Sequence, residues 1–426
     1  MMLKSFVAAS LFLLLVGSAQ AGVVVVTNFA DSGTGSLRDV VADPGTLAGD
    51  TVVFAVSSTP RVITLSSEIA IKKNLTILGP GAGLLTLQRG GGTAGMLIVD
   101  AGYTVVISGM TITGGVATSG GCVRHEGAKL TLSGVVISGC STTSGRGAGV
   151  FVSATGGDLL IVSSSITNNA SSNELGGGVA INDASASSKK TTILRSVISG
   201  NQARNGGGIY HASGTLLLGE TELHSNTATT GPEGGGGLYV GISAGDISVR
   251  GSSFVGNTSA GSGGGISAIQ LQPGQRFEVT QSLFWNNTAQ FGAGVGVGQS
   301  SATAFISNST FLENNGPAVF VFSSPGAPAS SPTSTLYLSA NTFSSNTIGL
   351  SLLRQAGPVV AFLRNNIFAL NPLATTDTNI APGLGKVYSM GYNPSERLGY
   401  RSRWGLRHAA RCRRSTQHRS HASAVG

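Results

Sequence analysis

Gly206-Gly207-Gly208-Ile209 and, later in the same stretch, Leu223-His224-Ser225-Asn226 form one unit of a pattern that recurs up and down this chain. The glycine cluster with its aliphatic anchor returns as Gly176-Gly177-Gly178-Val179, Gly235-Gly236-Gly237-Leu238, Gly263-Gly264-Gly265-Ile266 and Gly292-Ala293-Gly294-Val295. Weaker copies stand at Val123, Val150, Val319 and Leu350, and successive anchors lie 27, 29, 30, 29, 28, 29, 24 and 31 residues apart. A period of that size means stacked supersecondary units, each touching only its neighbours.

The second half of the unit is equally regular. An apolar residue stands three places before an asparagine at Asn169, Asn201, Asn226, Asn257, Asn287, Asn314 and Asn346, and Phe254, Phe284, Phe311 and Phe343 supply the aromatic form. Asn at a constant offset suits a stacked ladder at a tight bend, because it tolerates left-handed backbone and its amide can bond the copies above and below. Short β-branched and apolar runs such as Leu216-Leu217-Leu218 and Ile247-Ser248-Val249 read as strands, and nothing from 96 to 390 sustains a helical period. The expected fold is therefore all-β, a right-handed parallel β-helix solenoid. A leucine-rich repeat, the rival with an asparagine ladder, needs a denser leucine skeleton and fewer glycines.

Composition fits a narrow stacked core: 64 glycines, 41% hydrophobic residues, 6% aromatic and 10% charged. The net charge of +8 misleads, since eight arginines and one acid fall in 391–426 and the remaining residues are close to neutral. That removes the electrostatic basis for a nucleic-acid partner. Lys4, the apolar run Phe6 to Val16 and Ser18-Ala19-Gln20-Ala21 read as an export signal over 1–21, too short to span a bilayer, and no transmembrane helix is expected. The expected organisation is a signal at 1–21, an N-terminal cap with the first coils at 22–95, repeats at 96–390, and a basic tail at 391–426, solvated or read in a shifted frame. In the cap, Ser36 can start a short helix with Asp39 three residues on and Leu37, Val40 and Val41 on its apolar face. Of the three cysteines, Cys122 falls in a glycine-cluster position and Cys140 at a ladder position. A disulfide between them and two small buried residues filling tight sites both remain open, the second being favoured on how often free Cys is buried.

The paired tetrapeptides resemble the repeats of polymorphic outer membrane proteins and related bacterial β-helix surface proteins. The leading segment, Val25-Val26-Thr27-Asn28 through Gly33-Thr34-Gly35-Ser36-Leu37-Arg38, then Gly49-Asp50-Thr51-Val52-Val53-Phe54 and Asn74-Leu75-Thr76-Ile77-Leu78-Gly79-Pro80-Gly81, is similar to the leader on many of them. Together these cover about residues 25 to 393. The resemblance implies an exported, cell-surface protein, and it breaks where the chain turns arginine-rich with no barrel-like alternation.

β-Helices also include pectate lyases and polygalacturonases, so catalysis needs a direct test. Hydrolases of this shape need converging carboxylates, and the lyases need a Ca²⁺ cage with a basic residue to take a proton. Asp158 and Asp246 occupy similar places three coils apart, roughly 14 Å at the spacing of stacked strands, too far to share one bond. Asp183, Glu174 and Glu233 lie in Gly/Ser-rich turns, and His125, His211 and His224 stand in separate units without a second ligand at a metal-binding interval. The column Arg195, Glu220, Gly251, Gln281, Asn308, Ala340, Arg364 makes no basic groove. Asn-x-Ser/Thr sites occur at Asn74, Asn169, Asn257, Asn286 and Asn308. No catalytic, cofactor or metal residue is expected. The expectation is a non-catalytic surface protein, adhesin-like or structural, meeting host-cell, matrix or cell-wall polysaccharide surfaces, with variable insertions such as Ser323 to Thr335 carrying specificity. A polysaccharide lyase or hydrolase is the alternative.

Overall fold

The structure, a computed structural model, describes residues 21–55, 58–172, 174–182, 188–230, 233–298, 303–323, 334–354, 359–378 and 385–394. Nearly all of the export-signal segment, Asp183, most of the Pro-bearing insertion after Ser323 and the tail beyond Pro394 lie outside them. Most coils run through three main strands, the first two of which are continuous at Ile209–Gly219 and Leu238–Arg250; a further two-residue strand builds a six-stranded sheet from Val116–Ala117 to Thr258–Ser259, and every registered strand pair is parallel. The first sheet holds the aliphatic anchors, which fall in one column: Val123 on Val150, Val179, Ile209, Leu238, Ile266, Val295, Val319 and Leu350 in turn. The second sheet runs from Val23–Val26 to Gly385–Ser389. The third, twelve-stranded, runs from Arg61–Leu65 to Ile367–Ala369.

Alternation decides what fills the core. In a second-sheet strand such as Lys129–Ser133, Leu130 and Leu132 point in and their neighbours out; a three-residue third-sheet strand such as Val136–Ser138 has room for one inward residue. That inward column reads Ile112, Ile137, Ile166, Ile198 and Leu223 before Phe254, Phe284, Phe311, Phe343 and Phe368 take over. The five phenylalanines stack with ring centroids 4.6–4.9 Å apart, matching the coil repeat.

Two of the coil's bends use one device, a residue in left-handed backbone followed by a buried polar residue that bonds to its copies. After the third sheet, the left-handed residue is the one before the ladder asparagine, as at Asn168, Gly200, Ser225 and Gly256, so the asparagines themselves need no unusual φ. Their backbone N–H and Nδ2 both donate to Oδ1 of the next asparagine, from Asn169 through Asn201, Asn226, Asn257, Asn287 and Asn314 to Asn346 and on to Asn371. A second ladder, which the tetrapeptides do not reveal, lines the bend between the second and third sheets. Backbone N–H groups donate coil to coil along Ser164, Ser196, Thr221, Ser252, Ser282 and Ser309, after which Asn341, Asn366 and Asn393 continue it. The column Arg195, Glu220, Gly251, Gln281, Asn308, Ala340 is its left-handed partner, and the column ends at Asn365, not Arg364.

The glycine cluster has a steric cause. Gly206 has φ +64°, and a Cβ on Gly207 would stand 2.5 Å from the carbonyl of Thr227 in the next coil. Cys122 and Cys140 are joined by a disulfide with Cα atoms 5.7 Å apart, which overturns the favoured reading of two separate thiols. The solenoid brings a glycine-cluster position against a ladder position of the same coil, a proximity sequence separation does not disclose. Cys140 also starts the ladder, its N–H donating to Asn169 Oδ1. At the N-terminal end, the helix Leu37–Ala42 starts at Ser36, whose Oγ accepts from Asp39 N–H while the Asp39 carboxylate accepts from Gly35 N–H, and Leu37, Val40 and Val41 are buried. At the other end the coil continues past 390: Asn393 accepts from Asn366 and the Pro394 carbonyl accepts from Phe368 N–H. No helix among the described residues is long and apolar enough to cross a membrane.

Candidate functional site

Three of the carboxylates singled out in the repeats, Asp158, Asp246 and Glu233, are occupied by the fold. Asp158 Oδ1 accepts from Lys190 N–H at 2.8 Å and Asp246 Oδ1 from Arg276 N–H at 2.9 Å, each holding the start of the next coil's second-sheet strand. Glu233 accepts from Asn205 and Gln270. His125 and His211 face inward from the first sheet and are fully buried, with Nε2 against the carbonyls of Asp158 and Gly214. Desolvation, only partly offset by those carbonyls and reinforced by Lys189, pulls each imidazole down to about 4, so both are neutral near pH 7. His224 lies partly exposed on the third sheet. Asn169 and Asn257 are buried in the ladder, whereas Asn74, Asn286 and Asn308 are exposed. Among the described residues no three His, Cys, Asp or Glu side chains gather to hold a metal.

Charge gathers instead at a corner of the first coils. Lys72, Asp100 and Glu126 stand at equivalent places just past successive first-sheet strands, because Ile71 pairs with Val99 and Val99 with His125. Lys72 Nζ lies 3.6 Å from Asp100, and Arg124, on the outer side of its strand, pairs with Glu126. Glu68, just before the strand Ile69–Ile71, is half-buried with its carboxyl pressed on Gly95 of the next coil. Its pKa is raised, first by desolvation; Arg124 opposes the shift, while Asp100 and Glu126 add to it. A carboxyl held toward its protonated form beside a guanidinium can donate or take a proton. The sequence does not single out this corner, because its members belong to the degenerate leading coils; the signal is charge recurring at the coil period, at 72, 100 and 126.

The second surface is an outward face of the second sheet. Phe305, Tyr337, Phe362 and Tyr388 occupy one outward column of the second sheet, stacked at 5.0, 5.1 and 5.2 Å. Tyr337 is 38% and Tyr388 42% exposed. Arg276 lies over the Phe305 ring at 5.3 Å and pairs with Glu278, which precedes Phe305 in the same column.

A family comparison agrees with the architecture of the central and later coils. Residues 177–371 match the family model of the right handed beta helix region. A 78-residue stretch is 44% identical to a probable pectate lyase C of Aspergillus flavus, and one of the same length is 41% identical to that of Emericella nidulans. These stretches are 18% of this chain, which spans about a sixth of the length of those relatives, 17%. The A-module of mannuronan C-5 epimerase AlgE6 from Azotobacter vinelandii aligns over 87% of this chain and 100% of its own at 12% identity, with a TM-score of 0.36. With parallel registers throughout, stacked interior columns and the family match over its centre, the chain is an all-β parallel solenoid of the right-handed β-helix kind.

Proposed function

We propose that this protein is an exported, non-catalytic β-helix that works as a contact surface, adhesin-like in the manner of the surface proteins its repeats resemble, with polysaccharide of a cell, matrix or wall as its partner. The observation that carries the reading is the outward aromatic column Phe305–Tyr337–Phe362–Tyr388, with both tyrosines exposed, since large contiguous apolar patches left open on a protein surface mark interaction sites. The use of Asp158 and Asp246 as backbone acceptors supports it, because a carboxylate that holds a strand start is poorly placed to move protons on a substrate. The test is attachment to immobilised polysaccharides alongside cleavage of the same polymers with and without Ca²⁺. Tyr337→Ala together with Tyr388→Ala should weaken attachment at least about tenfold, as loss of aromatic anchors does. Wild-type attachment untouched by both substitutions would sink the reading.

A second reading, a polysaccharide-cleaving enzyme, is favoured by one observation, the raised pKa of Glu68 beside Arg124, and by the local similarity to probable pectate lyases. On that reading Glu68→Gln would lower turnover by orders of magnitude while leaving attachment unchanged.

A further inference from the structure

Asp50 is a buried carboxylate at the N-terminal end of the solenoid, 4% exposed. Its Oδ2 accepts from the Leu47 N–H at 2.7 Å, and its Oδ1 accepts from the backbone nitrogen of Gly22, also at 2.7 Å. No lysine, arginine or histidine pairs with it among the described residues. Elsewhere an exposed side chain does comparable work: Asn74, Asp158 and Asp246 each accept from the first N–H of a second-sheet strand in the next coil. Asn74 shows that a neutral amide is enough to bond a strand start. A carboxylate taken out of water is costly unless charge or ample donors meet it. Gly22 stands just before the strand Val23–Val26 and just after Ser18-Ala19-Gln20-Ala21, the small-residue run that reads as the end of an export signal. Ala21 and Gly22 are both exposed. Cutting the bond between them would turn the Gly22 N–H into an ammonium with three donors, already placed on the carboxylate. Glycine suits that contact, since a Cβ on Gly22 would stand only 3.2 Å from Asp50 Oδ1.

We propose that the Ala21–Gly22 bond is a processing site and that Asp50 is the counter-ion that receives the new N-terminus. A peptidase of the export route adds water across the peptide bond, leaving a carboxylate on Ala21 and an ammonium on Gly22, and the ammonium forms an ion pair with Asp50. The pair ties the first strand to the start of Thr51–Phe54, where the Thr51 N–H donates to the Gly22 carbonyl at 2.9 Å. Among the elements around it, Thr51–Phe54 carries no charge. The turn before that strand carries Asp43, which accepts from Gly45 N–H, and Asp50 itself. The turn before Leu75–Leu78 carries Lys72, beside Asp100, and Lys73, which donates to the Asp43 carbonyl. The proposal rests on export and not on the aromatic contact surface, so a failed attachment assay counts against that surface and not against Asp50.

The full chain is secreted from an exporting host, its first residue read from intact mass, and the Gly22 Cα resonance followed against pH. The mass should be that of a chain beginning at Gly22, and its α-amine should titrate well above the ordinary range of about 7.7–8.0, because the carboxylate favours the charged form. Asp50→Asn should return the titration to that range and speed hydrogen exchange of the Thr51 amide about tenfold. Inserting one serine between Ala21 and Gly22 keeps the Gly22 N–H on Asp50 but moves the ammonium one residue away, and it should speed that exchange likewise. A merely structural hydrogen bond would leave the insertion without effect. Because the folded amine is raised, the added protection is fully present below the ordinary range and is lost as pH rises through the raised value, so wild type and insertion should converge on the alkaline side. If Asp50→Asn does not fold, the insertion and the wild-type titration still decide. A secreted chain with any other first residue would overturn the processing site. An amine in the ordinary range on a chain beginning at Gly22, or Thr51 exchange indifferent to the insertion, would overturn the pairing.

Discussion

Asn257 donates twice to Asn287, once to the Leu223 carbonyl, and accepts twice from Asn226, all without contact with solvent. Alanine there leaves the Asn226 N–H buried without its acceptor and removes one bond to the Leu223 carbonyl, which should cost about 1–3 kcal/mol. Phe254→Ala in the same coil removes a ring from the interior stack and should cost about 3–5 kcal/mol through the cavity left. Urea midpoints of the two variants check this; midpoints equal to wild type would count against both ladder and stack as sources of stability. The buried histidines add a pH dependence. Because His125 and His211 are held at about 4 against 6.5 in the unfolded chain, only the unfolded chain takes up protons between those values. Stability should therefore be fully present above pH 6.5, fall as pH drops toward 4 by on the order of 3 kcal/mol per histidine, and lose nothing more from them below that. His211→Leu should flatten about half of the slope in that window when urea midpoints are followed against pH.

At the scale of the element, a bend is held by whatever closes it. The Cys122–Cys140 disulfide, with a sequence separation of 18, ties a glycine cluster to the start of the asparagine ladder, and a loop of that size corresponds to about 3 kcal/mol of stabilisation in the chain-entropy account. Cys140→Ser should lower unfolding stability by that order, and a reducing agent should lower the wild type alone. The Ser36 hydroxyl caps the helix, so Ser36→Ala should cost about 1 kcal/mol and register chiefly as earlier proteolysis near the N-terminal coils.

A solenoid has no centre, and its stability is a sum over neighbouring coils, so the ends matter most. The last rungs are Asn393 and the Pro394 carbonyl. Ending the chain after Pro394 should leave the circular dichroism spectrum and unfolding midpoint unchanged, because no repeat grammar continues beyond it. Ending it after Met390 should lower the midpoint by exposing Asn366 and Phe368 N–H. A loss of stability from the first truncation would make 395–426 part of the fold.

The period of the glycine clusters was enough to settle a β-solenoid, because residues 24 to 31 apart in the chain become stacked neighbours and each column then repeats one chemical demand. The same logic made the inward phenylalanines readable, since a stacked ring matches the coil rise. It failed where one chemical demand is met by different residue types: Ser, Thr and Asn share the second ladder, so no single letter marks it. It failed again where partners come from different parts of a coil, as with Cys122 and Cys140, or from coils two apart, as with Glu68 and Arg124. The charged corner emerges only in three dimensions, since burial, and not residue type, raises the pKa of one carboxyl. Sequence fixes which residues repeat; the winding of the coils decides which of them meet.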